Sequence, residues 1–156
     1  MTRLRPSKPG SVSRPALVVA LFAVVYASHA WAEPGKRAWT AAAVSSGLHS
    51  VGQAATVAYN PGPRIPAGSV ITKVYANRDY AGQADVQSSL CWGGIQRCVD
   101  IVGRSINTPA FNGLEAGGPI YLVHRVHAWH GSHQPLYVKG NVTVWYDDAP
   151  GQRQSR

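Results

Sequence analysis

Residues 138–146 read Val-Lys-Gly-Asn-Val-Thr-Val-Trp-Tyr, and residues 70–80 read Val-Ile-Thr-Lys-Val-Tyr-Ala-Asn-Arg-Asp-Tyr. In both, β-branched and aromatic residues recur at about every second position, the period of a half-buried strand rather than of a helix. Gly140-Asn141 interrupts the first run and reads as a bulge or turn. Runs of the same kind extend outward along the chain at Trp39–Val44, Ala54–Tyr59, Val70–Ala81, Val86–Trp92, Arg97–Val102, Ile120–His127 and Leu136–Trp145. Gly, Pro and Asn punctuate them, and no segment sustains a capped helical period. Short strands separated by turn signals about every 8–12 residues predict an all-β chain, folded as an antiparallel β-sandwich or barrel.

Composition agrees with that class. The chain has 156 residues, 45% apolar and 14% charged, with 16 Gly and 11 Pro, which suits one domain and is unlike a helical bundle. Residues 1–32 stand apart. They carry Arg3, Arg5, Lys8 and Arg14 without an acid, then an apolar run from Ala16 to Ala27, then Ala30-Trp31-Ala32. A basic start, a short apolar run and a small-x-small site are the parts of a secretory signal peptide, cleaved before Glu33. The run is shorter than the roughly 20 residues of a spanning helix. The exported chain would then be a domain over 33–149 with a flexible tail over 150–156, not membrane-spanning once the signal is removed.

That division changes the charge argument. The formal charge of +8 falls to +4 without the four basic residues of the signal, leaving 11 basic against 7 acidic residues. The 11 are scattered, with no run to track a phosphate backbone, so nucleic acid is not a predicted partner. Export also places Cys91 and Cys98 in an oxidising compartment, where an isolated pair reads as a disulfide. Gly93-Gly94 between them supplies the backbone freedom for a reversing turn. Strand arms on either side would bring the sulfurs together across a hairpin.

Catalytic chemistry is sparse. There is no Gly-x-Ser-x-Gly elbow and no phosphate-binding glycine loop, and no motif ties the few acids to a Ser–His pair. No catalytic residue and no cofactor is predicted, and the chain does not read as an enzyme. The one cluster to weigh is His124, His127, His130 and His133. Steps of three on a strand alternate faces, so His124 and His130 would face away from His127 and His133. A hairpin tip at Gly131-Ser132 would fold His130 and His133 together. His127, His130 and His133 are therefore candidate ligands for a transition metal, but imidazoles without a thiolate or carboxylate make a weak site, and scattered loop histidines are the simpler reading. Of the tryptophans, Trp39 and Trp145 read as core. Trp92 and Trp129 lie beside turn glycines, where exposure would suit binding of a partner or stacking on a sugar.

From Val86 to Tyr146 the sequence resembles the flagellar FlhE family of small exported proteins. The resemblance is carried by Leu90-Cys91, Arg97-Cys98-Val99-Asp100, Gly103-Arg104-Ser105, Thr108, Ala110-Phe111 and Gly113-Leu114. It continues through Pro119-Ile120-Tyr121-Leu122, Val126, Gln134-Pro135-Leu136, Val138 and Asn141-Val142-Thr143-Val144-Trp145-Tyr146. Trp39 and Val70–Tyr80 fit less tightly. Two departures fall at turns: Trp92-Gly93-Gly94 lengthens the interval between the cysteines, and the histidines stand where a glycine-rich tip belongs. The resemblance implies a single antiparallel β-sandwich that serves as a periplasmic, non-enzymatic accessory of flagellar assembly. Its role would be chaperone-like or sealing at the rod or export apparatus, supporting swarming and limiting proton leak. Its partners would be rod, hook or export-apparatus proteins. The alternative is a periplasmic binding module for cell-wall glycan or a transition metal, using the His-rich hairpin.

Overall fold

The computed structural model describes residues 37–131 and 134–148. The proposed signal peptide and the whole of the proposed tail lie outside that range. Eight strands succeed one another: β1 Arg37–Val44, β2 Ala54–Tyr59, β3 Val70–Asp79, β4 Ala84–Trp92, β5 Cys98–Asp100, β6 Ser105–Thr108, β7 Ile120–Trp129 and β8 Lys139–Asp147. Two antiparallel four-stranded sheets result, in the orders β1-β8-β3-β6 and β2-β7-β4-β5, packed as a sandwich. Among the described residues there is no helix, and so none long and apolar enough to cross a membrane.

The strand with the clearest alternation in the sequence is the centre of its sheet. β8 pairs with β1 from Arg37↔Tyr146 to Val44↔Lys139, and on its other side with β3 from Val70↔Asp147 to Asp79↔Lys139. Gly140, Val142, Val144 and Tyr146 face inward, while Asn141, Thr143 and Trp145 face out. Gly140-Asn141 is therefore not the bulge or turn expected from sequence, because β8 runs straight through it. The irregularities lie elsewhere: Thr72 is the extra residue of β3 against β8, and His127 the extra residue of β7 against β4. Glycine at 140 answers a demand for space. A Cβ there would run into the Tyr59 hydroxyl and within 2.7 Å of Leu122 Cδ1, both from the opposite sheet.

Two clusters fill the space between the sheets. The larger joins Trp39, Tyr59, Leu90, Phe111, Ile120, Leu122, Val142 and Val144. The smaller joins Leu48, Val86, Val126, Leu136 and Val138. Trp39 enters the first with its indole N–H donating to the Ala116 carbonyl at 3.1 Å, so a buried polar group is satisfied. Trp145, expected in the core, instead lies half-buried on the outer face with the Lys73 ammonium 5.4 Å from its ring centre.

Several strands differ from the sequence reading. Arg97–Val102 contracts to Cys98–Asp100, because Ile101 turns into the core while its N–H donates to Ser88 at 2.8 Å. Leu136–Trp145 starts later, at Lys139, because Leu136 is spent on an isolated bridge to Leu48. β6 goes unpredicted, since Ser105-Ile106-Asn107-Thr108 holds one apolar residue and becomes a strand only by pairing with Val74–Asn77 of β3.

Replacing Gly140 by Ala should destabilise the protein by about 1–3 kcal/mol through overpacking against a tyrosine that is 1% exposed and has nowhere to go. Urea unfolding of both proteins measures this, and an unchanged midpoint would show that the sheets give way freely at this point.

Candidate functional site

The cysteines are where the hairpin reading puts them. Cys91 on β4 and Cys98 on β5 are register partners and form a disulfide, with Cα atoms 4.0 Å apart. The turn between them uses Gly93 at φ 65° and Gly94 at φ 148°, values that L side chains rarely adopt. Cys91 is fully buried and no free cysteine occurs among the described residues, so the pair holds a three-residue edge strand in place.

Both tryptophans proposed to bind a partner are less open than their glycine neighbours suggested. Trp92 is half-buried against the larger cluster, and its indole N–H donates to the Glu115 carbonyl at 3.1 Å. Gly118 lies directly beneath the indole, with its would-be Cβ 3.5 Å from Nε1. Trp129 is half-buried against the smaller cluster, and its indole nitrogen has no partner among the described residues. Strand ends, rather than free turns, fix both rings.

The histidines separate. His124 falls in the inward row of β7 between Leu122 and Val126 and is completely buried, with Nδ1 2.8 Å from the Ser88 hydroxyl. This Ser–His contact is no nucleophile: both residues are fully buried, and Nε2 has no carboxylate or other partner among the described residues. Burial, reinforced by the charge of Arg78, lowers its pKa to about 4. His127 and His130 are exposed and reach the neighbouring strand, the first to Gln87 at 2.7 Å and the second to Asp85 at 3.0 Å. His130 does not return to the face of His124 as strict alternation required, because the bulge at His127 resets the alternation. His133 lies outside the described residues. β7 and β8 are not hairpin partners, because they belong to different sheets. Among the described residues no group of three or more His, Cys, Asp or Glu is placed to hold a metal.

The remaining surface features are a cleft and the sheet edges. A shallow cleft is lined by Arg78, Tyr80, Asp85, Val86, Gln87 and His127. Arg78 stacks 5.4 Å from the Tyr80 ring centre, and the Tyr80 hydroxyl donates to the Ala84 carbonyl at 2.9 Å. The cleft presents no nucleophile with an oriented base. Each sheet has two edges. β5 and β6 are only three and four residues long, whereas β2 has six and β1 has eight.

With this geometry in view, comparison with known proteins is decisive. The family described as flagellar protein FlhE matches residues 46–146, which take in every strand from β2 to β7 and almost all of β8. The chain belongs to the FlhE family. A solved structure titled as the crystal structure of FlhE superposes with a TM-score of 0.59 at 26% identity, covering 73% of this chain and 99% of that one. No curated protein sequence matches. FlhE membership makes this a flagellar accessory protein; the first core tryptophan, Trp39 on β1, precedes the matched range.

His124 gives a pH test of the core. Its folded pKa of about 4 lies below the ordinary 6.5, so below pH 6.5 the unfolded chain takes up a proton that the folded chain refuses. Stability from this group is complete above pH 6.5 and declines as pH falls to about 4, by a total of about 3 kcal/mol. Urea unfolding at several pH values should show that decline in the wild type and lose this part of it in His124→Gln. Equal slopes in the two proteins would refute the assignment.

Proposed function

We propose that this FlhE protein is a non-enzymatic, periplasmic accessory of flagellar assembly, acting on rod, hook or export-apparatus proteins. The observation that carries the reading is the family match over 46–146, which spans nearly the whole folded unit rather than a local motif. Periplasmic residence rests on the signal-like residues 1–32 and on a disulfide between the sole two cysteines.

The fold offers a mechanism. A two-sheet sandwich leaves edge main-chain groups free, and an extended segment of another protein can pair with them as an added strand. Covering such a segment would keep a rod or hook subunit from polymerising before it reaches its place, which is the chaperone-like role. The same capture at the base of the growing structure would serve a sealing role, supporting swarming and limiting proton leak. The solvent-facing parts of Trp92 and Trp129 are contact points in this reading, although part of each ring is committed to the core.

Crosslinking in flagellated cells, followed by purification of the protein and mass spectrometry, should enrich rod, hook or export-apparatus proteins over a control periplasmic bait. Recovery of cell-wall fragments alone, or of no flagellar component, would overturn the flagellar role for this chain.

A further inference from the structure

β1 is the edge that stands out, and its hydrogen-bonding register can be read. The Ser45 N–H donates to the Val138 carbonyl at 2.9 Å, continuing the β1–β8 ladder by one residue. In an antiparallel ladder, the N–H and C=O of one residue point to the same side, and the side alternates. Arg37, Trp39, Ala41 and Ala43 therefore turn their main-chain groups to β8, while Ala38, Thr40, Ala42 and Val44 turn theirs outward. No strand among the described residues receives the outward set.

Edges are normally protected by shortness, by proline, by a bulge or by charge. β5 and β6 are short. β1 is eight residues long, has no proline and no register shift, and its single charge, Arg37, sits at the end in an ion pair with Asp148 at 2.9 Å. Two exposed apolar side chains lie at one end of this edge. Val44 is 53% exposed and lies opposite Lys139, while Tyr137, 54% exposed, shares the outward row of Lys139. That places Val44 and Tyr137 as diagonal neighbours, within roughly 7–8 Å. On the inward side, Ala41 and Ala43 of β1 and Val57 of β2 pack against the larger cluster but remain partly open.

We infer that β1 is the capture edge: an uncharged, extended segment of a flagellar subunit adds as a ninth strand on Ala38, Thr40, Ala42 and Val44, with Val44 and Tyr137 gripping one of its apolar side chains. The inference rests on the flagellar reading and specifies its contact. Ala41 and Ala43 are small and partly open on the inward side, so an added strand that carries larger apolar side chains at alternate positions covers them. A second copy fits less well, since its β1 would set alanine beside alanine and bury little apolar area.

Proline distinguishes the two faces of the ladder. Ala42→Pro removes an outward N–H and places a ring in the path of the added strand while sparing β8, whereas Ala43→Pro removes an inward N–H. Overlapping synthetic peptides from the rod and hook subunits of the same cells serve as probes, read by fluorescence anisotropy and amide hydrogen exchange. The expected result is a peptide that slows exchange at Ala38, Thr40, Ala42 and Val44. Its binding should weaken at least about tenfold in Ala42→Pro and in Tyr137→Ser. Ala42→Pro should melt near the wild type, and Ala43→Pro well below it. Equal binding to a folded Ala42→Pro protein, or protection confined to β2, overturns the inference. A concentration-dependent dimer abolished by Ala42→Pro, with no peptide bound, also overturns it and gives the edge to a second copy. Flagellar proteins still crosslinked to the folded Ala42→Pro protein would leave the flagellar role standing and remove only this edge; no flagellar crosslink with the wild type would remove the role itself.

Discussion

The approach of Tyr59 to Gly140 sets how the two sheets meet. A buried phenol from β2 reaches across the sandwich to a strand that offers no side chain at the point of contact. Interiors pack at crystal-like density, so a residue this large fixes the spacing and rotation of the layers that enclose it. Leu122, Val142 and Val144 close around the same contact and make it the centre of the larger cluster. Burial pushes the Tyr59 hydroxyl up to about 12, so the ring stays neutral there at any physiological pH. β8 lies between β1 and β3, so Gly140 is held at this contact by a strand on either side.

Strand class and most strand positions are legible in the sequence because period-two alternation survives wherever one face is buried, as in β8 and β3. What escapes is structure that depends on a distant partner. β6 has the composition of a loop and becomes a strand through β3. Gly140 carries the same letter as a turn glycine, and only the tyrosine 81 positions earlier, by residue number, explains it. Trp145 reads as core by composition but sits outward, one residue out of phase with Val144 and Tyr146.

The interaction surface is less legible than the fold. The disulfide could be read locally, since two cysteines, two glycines and two strand arms occupy one short stretch. The histidine cluster could not, because a single bulge at His127 shifts the facing of every later residue in β7, and β8 belongs to the other sheet. Nor could the free edge of β1: whether Trp39–Val44 is central or peripheral depends on sheet order, which alternation does not encode. Alanine at 38, 41, 42 and 43 was the available signal, an unusually small set for a strand of eight.

The pairing of β1 with β8 also bears on how the molecule is assembled in time. Chains emerge from the ribosome amino end first, and contacts between remote segments form slowly. Thr40 meets Thr143 across the β1–β8 ladder at 2.9 Å between their hydroxyls, although 103 positions separate them in sequence. The first described strand thus has its only described partner in β8, and the β1-β8-β3-β6 sheet cannot be completed until β8 has been made. A nascent chain built this way carries β1 without its partner while the six strands between them are made.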